Sequence, residues 1–271
     1  MGESVFIAED RRESGQEGFL PTELARGPWD PGALHGGAPA ALISSVFERI
    51  EPGSEMPIAR LGFEFLRPIP SAPLQLSTRI VRPGRRVQEL AGELSCDGQL
   101  VARASALRVQ PVPAGLPVEA PADGAWADHE MPGPQDGKAV RFALGDSDTT
   151  SFAATAMEMR WLSDPRALGP GRTWMRLRHP LLPGEEPTPL TRLVATADFG
   201  NGVGSALPFD RFVFINADLT IHLHRQPRGE WIGLEARTLL DGGGSGLSES
   251  VLHDLEGVVG RAFQTLVVQP R

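Results

Sequence analysis

The residues of this chain best suited to chemistry gather in its last third. Along Phe212–His224 the residues alternate, with Ala217, Leu219, Ile221 and Leu223 on one face and Asp218, Thr220, His222 and His224 on the other. An Asp and two His on one strand face are metal-ligand types. His-x-His without a third well-placed ligand equally describes a solvated or interface-facing strand, so no metal is expected. Thr238 shares the parity of Ile232, Leu234 and Ala236, and Gln264 that of Ala262, Leu266 and Val268, so both face a core. A buried Gln needs partners, because an unpaired buried polar group costs roughly 1–3 kcal/mol. Backbone groups alone would satisfy it. Earlier in the chain, His35-Gly36-Gly37 leads into an apolar run from Ala38 to Ile50. Backbone N–H groups at a helix start can bind a negatively charged oxygen, and glycines let it approach closely. His35 suits either substrate placement or an ordinary turn.

These residues must be held by elements, and turn residues mark them. Pro39 suits a first helical turn, Leu42, Val46 and Ile50 recur at four-residue spacing, and Pro52-Gly53 stops the helix. Strands are expected over 58–66, 74–82, 87–95 and 100–109. A Pro/Gly-rich seam over 113–124 separates a first domain, 1–112, from a second, 125–271. There the order recurs: strands at 151–161 and 172–179, a helix at 189–199, and strands at 212–224, 231–240, 247–254 and 259–268. Residues 68–111 can be laid on 227–270 without a gap. One apolar helix followed by four antiparallel strands, twice, predicts an α+β architecture with two antiparallel sheets, each wrapped around a central helix.

Composition narrows the function. A chain of 271 residues with 41% hydrophobic content and no long apolar stretch is expected to be cytoplasmic, with no membrane partner. Net charge of −8 argues against a nucleic-acid partner. Cys96 is the single cysteine, which forbids an intrachain disulfide, and its place in a hairpin argues against a nucleophile. From Arg60 to Arg108 eight arginines meet four acids. They are either scattered over exposed strand faces or, through Arg82, Arg85 and Arg86 beside Gly84, a patch for an anionic ligand.

Six segments carry a family resemblance: Leu34-His35-Gly36-Gly37, Met159-Arg160-Trp161, Gly184-Glu185-Glu186-Pro187, Ala197-Asp198-Phe199-Gly200-Asn201-Gly202, Asp218 through Arg225, and Gly260-Arg261-Ala262-Phe263-Gln264. From about Phe19 to Val268 the chain resembles the bacterial thioesterase-like superfamily, which is similar to acyl-CoA thioesterase II. The resemblance implies a double hotdog fold and water attack on a thioester without a cofactor, CoA being part of the substrate. It implies catalytic roles for Asp218, Thr238 and Gln264.

That chemistry is self-consistent. A carboxylate can take a proton from water, while a hydroxyl and an amide orient it. The Gly36 and Gly37 amides, with His35 beside them, would bind the oxyanion, and Arg82, Arg85 and Arg86 would contact CoA phosphates. Alternation opposes one part of this scheme, since it puts Asp218 on the face away from Thr238 and Gln264. A bulge near Asn216 would reconcile them. Acyl-CoA or another acyl thioester is the expected partner, and a homo-oligomer the expected assembly. The alternatives are a non-catalytic acyl-CoA-binding protein, or an enoyl-CoA hydratase or dehydratase using His222 or His224.

Overall fold

A computed structural model describes residues 3–9, 16–30, 32–51, 54–112, 130–141 and 150–271. The expected linker 113–124 lies outside the described residues. Two central helices position the site. Helix α1 (Gly37–Arg49) buries Gly37 through Ser44 together with Val46 and Phe47. Its last carbonyls are claimed by Arg108, whose Nη2 donates to Phe47 O at 2.7 Å and to Ile50 O at 2.9 Å. Helix α2 (Pro189–Ala197) starts from Thr188, whose Oγ1 accepts the Thr191 N–H at 3.0 Å, with Pro189 where no N–H is required. A one-turn helix α3 (Gly200–Val203) follows.

The two long helices pack against each other end to end reversed. At one end Ala195 O lies 2.9 Å from where a Cβ on Gly37 would stand, so the backbones meet without side chains between them. At the other end Glu48 Oε2 accepts from Thr188 Oγ1 at 2.7 Å and Thr191 Oγ1 at 3.1 Å. Burial raises the pKa of Glu48, and the two threonine hydroxyls pull it back in part.

The strands wrap these helices. In the first half they are β1 (Phe6–Glu9), β2 (Gln16–Pro21), β3 (Ile58–Phe65), β4 (Leu74–Arg82), β5 (Val87–Cys96) and β6 (Gln99–Val109). In the second half they are β7 (Lys138–Ala139), β8 (Met157–Trp161), β9 (Gly171–Leu177), β10 (Phe212–Asn216), β11 (Asp218–Leu223), β12 (Ile232–Leu240), β13 (Ser245–Asp254) and β14 (Gly257–Pro270). The order across the sheet is β1-β2-β4-β5-β6-β3-β11-β14-β13-β12-β9-β8-β7, with β10 also paired to β14. Outward from the β3–β11 seam the order is mirrored, β6-β5-β4 on one side and β14-β13-β12 on the other. The expected pair of sheets is corrected by this seam. Antiparallel pairing from Leu61↔Ile221 to Glu64↔Asp218 joins them into one sheet.

The strand expected over 151–161 also differs. Phe152–Ala156 forms a π-helical turn before β8 begins. Ser151 explains it: its Oγ accepts the Ala154 N–H at 3.1 Å, and its carbonyl accepts from Thr155 and Ala156. A local serine acceptor thus outcompetes strand pairing. The strand expected over 212–224 breaks at Ala217, where the register against β14 shifts by one residue between Asn216↔Leu266 and Thr220↔Phe263.

Candidate active site

The break at Ala217 decides which carboxylate reaches the core. Asn216 keeps the buried parity of Phe214, and Leu219 resumes it beyond the break, so Asp218 stays on the outer face. There its Oδ1 accepts the Thr265 N–H at 2.6 Å, filling a gap in the strand ladder. The expected convergence of Asp218 with Thr238 and Gln264 is therefore not what the structure holds. The bulge considered for Asn216 exists, but it turns Asn216 inward rather than Asp218.

The carboxylate that does meet Gln264 is Asp198, the residue that ends α2 and is 5% exposed. Its Oδ1 accepts from Asn216 Nδ2 at 2.8 Å and from Gln264 Nε2 at 3.0 Å. Its Oδ2 lies 3.1 Å from His35 Nδ1. The same His35 Nδ1 lies 3.1 Å from the Gly37 backbone nitrogen. One ring nitrogen cannot donate and accept at once. A carboxylate at 3.1 Å favours Nδ1–H as donor to Asp198, which releases the Gly37 N–H for another acceptor. The His35 ring stacks on Phe199 with centroids 4.4 Å apart and lies 5.3 Å from Phe152.

Close approach depends on glycine. A Cβ on Gly36 would stand 2.9 Å from Asp198 Oδ2 and 3.2 Å from Phe65 Cζ. Thus the start of α1, from the first half, abuts the end of α2, from the second. Behind the carboxylate, Gln264 Oε1 accepts the Asn201 N–H at 3.3 Å, and Thr238 Oγ1 donates to Asn201 Oδ1 at 3.2 Å. Thr238 and Gln264 thus both meet Asn201, with Thr238 one residue further from Asp198. A Cβ on Gly200 would strike Gln264 Oε1 and Ser250 Oγ, each at 2.7 Å, so α3 seats directly on the last strands.

Other expected residues lie elsewhere. Arg82, Arg85 and Arg86 are exposed on the β4–β5 turn. That turn sits beside Gln110, whose N–H donates to Arg86 O, and so at the Ile58 end of β3. Phe65, which touches Gly36, is at the opposite end, about 23 Å away along the strand. His222 is exposed, and burial followed by the neighbouring Arg225 lowers the pKa of His224. Among the described residues no cluster of His, Cys, Asp and Glu could hold a metal, and no helix is long and apolar enough to cross a membrane. Cys96 is free and buried. Asp198 and Asn216 were missed as site residues although both carried a signal: an acid where a helix should end in a cation, and an amide at the parity of Phe214.

Comparison with known proteins agrees with the fold. The chain is similar to a hot dog fold protein of unknown function from Alicyclobacillus acidocaldarius, with TM-score 0.74 and 16% identity over 96% of this chain and 95% of that one. It is similar to the tesB protein of Mycobacterium avium subs paratuberculosis, with TM-score 0.65 and 14% identity over 97% and 96%. A third likeness is to an acyl-CoA thioesterase II, TesB2, from Mycobacterium marinum, with TM-score 0.64 and 15% identity over 97% and 95%. No protein of curated function matches the chain. Residues 25–109 match the model of the acyl-CoA thioesterase N-terminal domain, and residues 123–268 that of the C-terminal domain. With both domain models satisfied in order along one chain, this protein belongs to the acyl-CoA thioesterase family.

Proposed function

We propose that this protein hydrolyses acyl thioesters on a double hotdog scaffold, with Asp198 rather than Asp218 taking the proton of the attacking water. The observation that carries this reading is the convergence of Asn216, Gln264 and His35 on the buried Asp198 carboxylate, at the start of α1. Asp198 accepts a proton as the water oxygen bonds to the acyl carbon. The carbonyl oxygen becomes an oxyanion beside the Gly36 and Gly37 amides, where the partial positive charge of α1 is greatest. When the tetrahedral intermediate collapses, the C–S bond breaks and the proton held by Asp198 goes to the departing sulfur. The two side-chain amides fix the carboxylate, and Gln264 Oε1, held only by a 3.3 Å bond, keeps acceptor capacity for water. Family membership supports acyl-CoA as the thioester, and hydrolysis requires no cofactor or metal. A soluble homo-oligomer in the cytoplasm is the assembly and place we assign to it.

Thiol release from acyl-CoAs of graded length tests the assignment. Asp198→Asn should lower kcat by about 10²–10⁴, the usual range for losing a general base, and Asp218→Asn should stay within about threefold of wild type. The reverse pattern would return the role to Asp218, and full activity in both variants would overturn the carboxylate mechanism.

A further inference from the structure

The surface of the sheet that faces away from the helices differs between the two halves. In the first half it is polar. Glu64 lies opposite Arg103, Arg103 opposite Glu93, and Glu93 opposite Ser77. On β10, β14, β13 and β12 the same surface is apolar, with Ile215, Val267, Leu247 and Leu239 exposed by 45%, 47%, 39% and 50%. Strand register makes them one patch. Ile215 lies opposite Val267 and Leu239 opposite Leu247, while Leu247 lies opposite Thr265, two residues from Val267. The patch is the reverse side of the strands that carry Asn216, Thr238 and Gln264 inward. Since the first half holds its strands with charged residues outside, the sheet itself does not require apolar ones there. Contiguous exposed apolar surface marks an interaction site.

Charge and size both point to a second copy of the chain as its occupant. The charged side chains beside the patch are paired within the chain, Arg237 with Glu249 and Arg172 with Glu235. The face therefore neither draws a strongly charged partner nor repels its own image, despite the net charge of −8. Strands β12, β13 and β14 run nine, ten and fourteen residues, so with β10 they present a face about 19 Å by 30 Å. A stable pair buries about 800 Å² on each partner, and the accessible area of such a face is of that order. The residues flanking 113–129 lie at the other end of the strands. Val109 N–H donates to Pro57 O, and Met131 Sδ stands 2.9 Å from where a Cβ on Gly233 would be, about 20 Å along β12 from Leu239. We propose that two copies of the chain join through this face, sheet packed on sheet about a twofold axis. The proposal rests on the homo-oligomer assigned above, to which it gives a surface, and is independent of which carboxylate acts.

Sedimentation velocity over a range of protein concentrations tests it. Wild type should associate, and its melting temperature should rise with concentration. Leu239→Glu/Val267→Glu, which sets like charges against each other across the paired faces, should weaken association by ~100-fold or more. Leu239→Ser/Val267→Ser, milder to the fold, should weaken it less. Ile7→Glu/Leu20→Glu alters another exposed apolar pair, on β1 and β2, and should leave association unchanged. Mixing the Glu double variant with Leu239→Lys/Val267→Lys should restore a mixed dimer, as only contact of this patch with itself allows. A wild-type oligomer that neither double variant at 239 and 267 weakens, or a charge-swapped mixture that stays apart, overturns the proposal and leaves the homo-oligomer in place. Dissociation by the Ile7 and Leu20 substitutions alone does the same and moves the interface to β1–β2. A wild type that sediments as a monomer at every concentration overturns the surface and the assembly together. A dimer broken at this patch that releases no thiol from any acyl-CoA leaves the surface standing and counts against hydrolysis alone.

Discussion

Asp198 occupies the position in a helix where a negative charge is least at home, at the carboxyl end of α2 and almost fully buried. Donors from three separate elements offset that cost: His35 before α1, Asn216 in β10 and Gln264 in β14. Parity along the strands was enough to place Gln264 and Thr238 inside. It could not place Asp198, because a carboxylate just before Phe199-Gly200 reads as a helix ending. Asn216 was legible in principle, since Phe214 two residues earlier fixes its face, but the break at Ala217 is a three-dimensional event. Asn216→Ala, which removes one of the two amide donors to Asp198 Oδ1, should lower kcat/KM by about 10–100-fold in a thiol-release assay, and Thr238→Val, acting only through Asn201, by under about tenfold. Gly36→Ala places a methyl against Asp198 Oδ2. It should cost about 1–3 kcal/mol in denaturant melts and most of the activity.

Among the elements, β11 and the residue just past it carry conspicuous side chains that tie backbone together. Asp218 at its start fills a backbone gap, and Arg225 just past its end clamps the β13–β14 turn. Arg225 Nη1 and Nη2 each donate to Asp254 at 2.6 Å, and Asp254 also accepts the Glu256 and Arg228 N–H groups. Burial alone would raise the pKa of Asp254. Hydrogen bonds, first from Arg225 and then from the two backbone N–H groups, outweigh it and hold the carboxyl below its ordinary value. Stability from this group is therefore complete above the ordinary carboxylate pKa and drains away as pH falls through the lowered one. Arg225→Met strands a buried carboxylate and should cost about 3–5 kcal/mol near neutral pH. The deficit should shrink on acidification, as followed by melting temperature across the acid range. The strands over 58–109 and 231–268 were legible from turn residues and alternation, whereas β1, β2 and β7 were not expected. The π-helical turn was not, because one serine hydroxyl decides it.

For the whole molecule, the internal repeat was the most legible feature. Laying 68–111 on 227–270 starts β4, β5 and β6 within one residue of β12, β13 and β14. The joining of the halves through β3 and β11 was not legible, since alternation says which face is buried but not which strand lies alongside. The helices tie the halves together as well, and Glu48 makes that tie sensitive to pH. Its raised pKa means that its contribution is full below the ordinary carboxylate value and is lost as pH rises through the folded value. Glu48→Gln keeps an acceptor for Thr188 and Thr191 without the charge. Its melting temperature relative to wild type should therefore climb as pH rises above the ordinary carboxylate value and level off beyond the raised one.

The reversed packing of α1 and α2 has a further consequence. A mirrored sheet around two opposed helices gives two equivalent ends, each where one helix stops and the other begins. In one, Asp198 faces a pair of bare glycines. In the other, Glu48 faces Thr188 and Pro189, where a hydroxyl covers the helix start, proline removes an N–H, and Arg108 plugs the carbonyls that end α1. At this second end the helix start is covered, so the symmetry survives in shape while the proposed reactivity lies on one side. Each chain should accordingly bind one equivalent of a thioester analogue at saturation, not two.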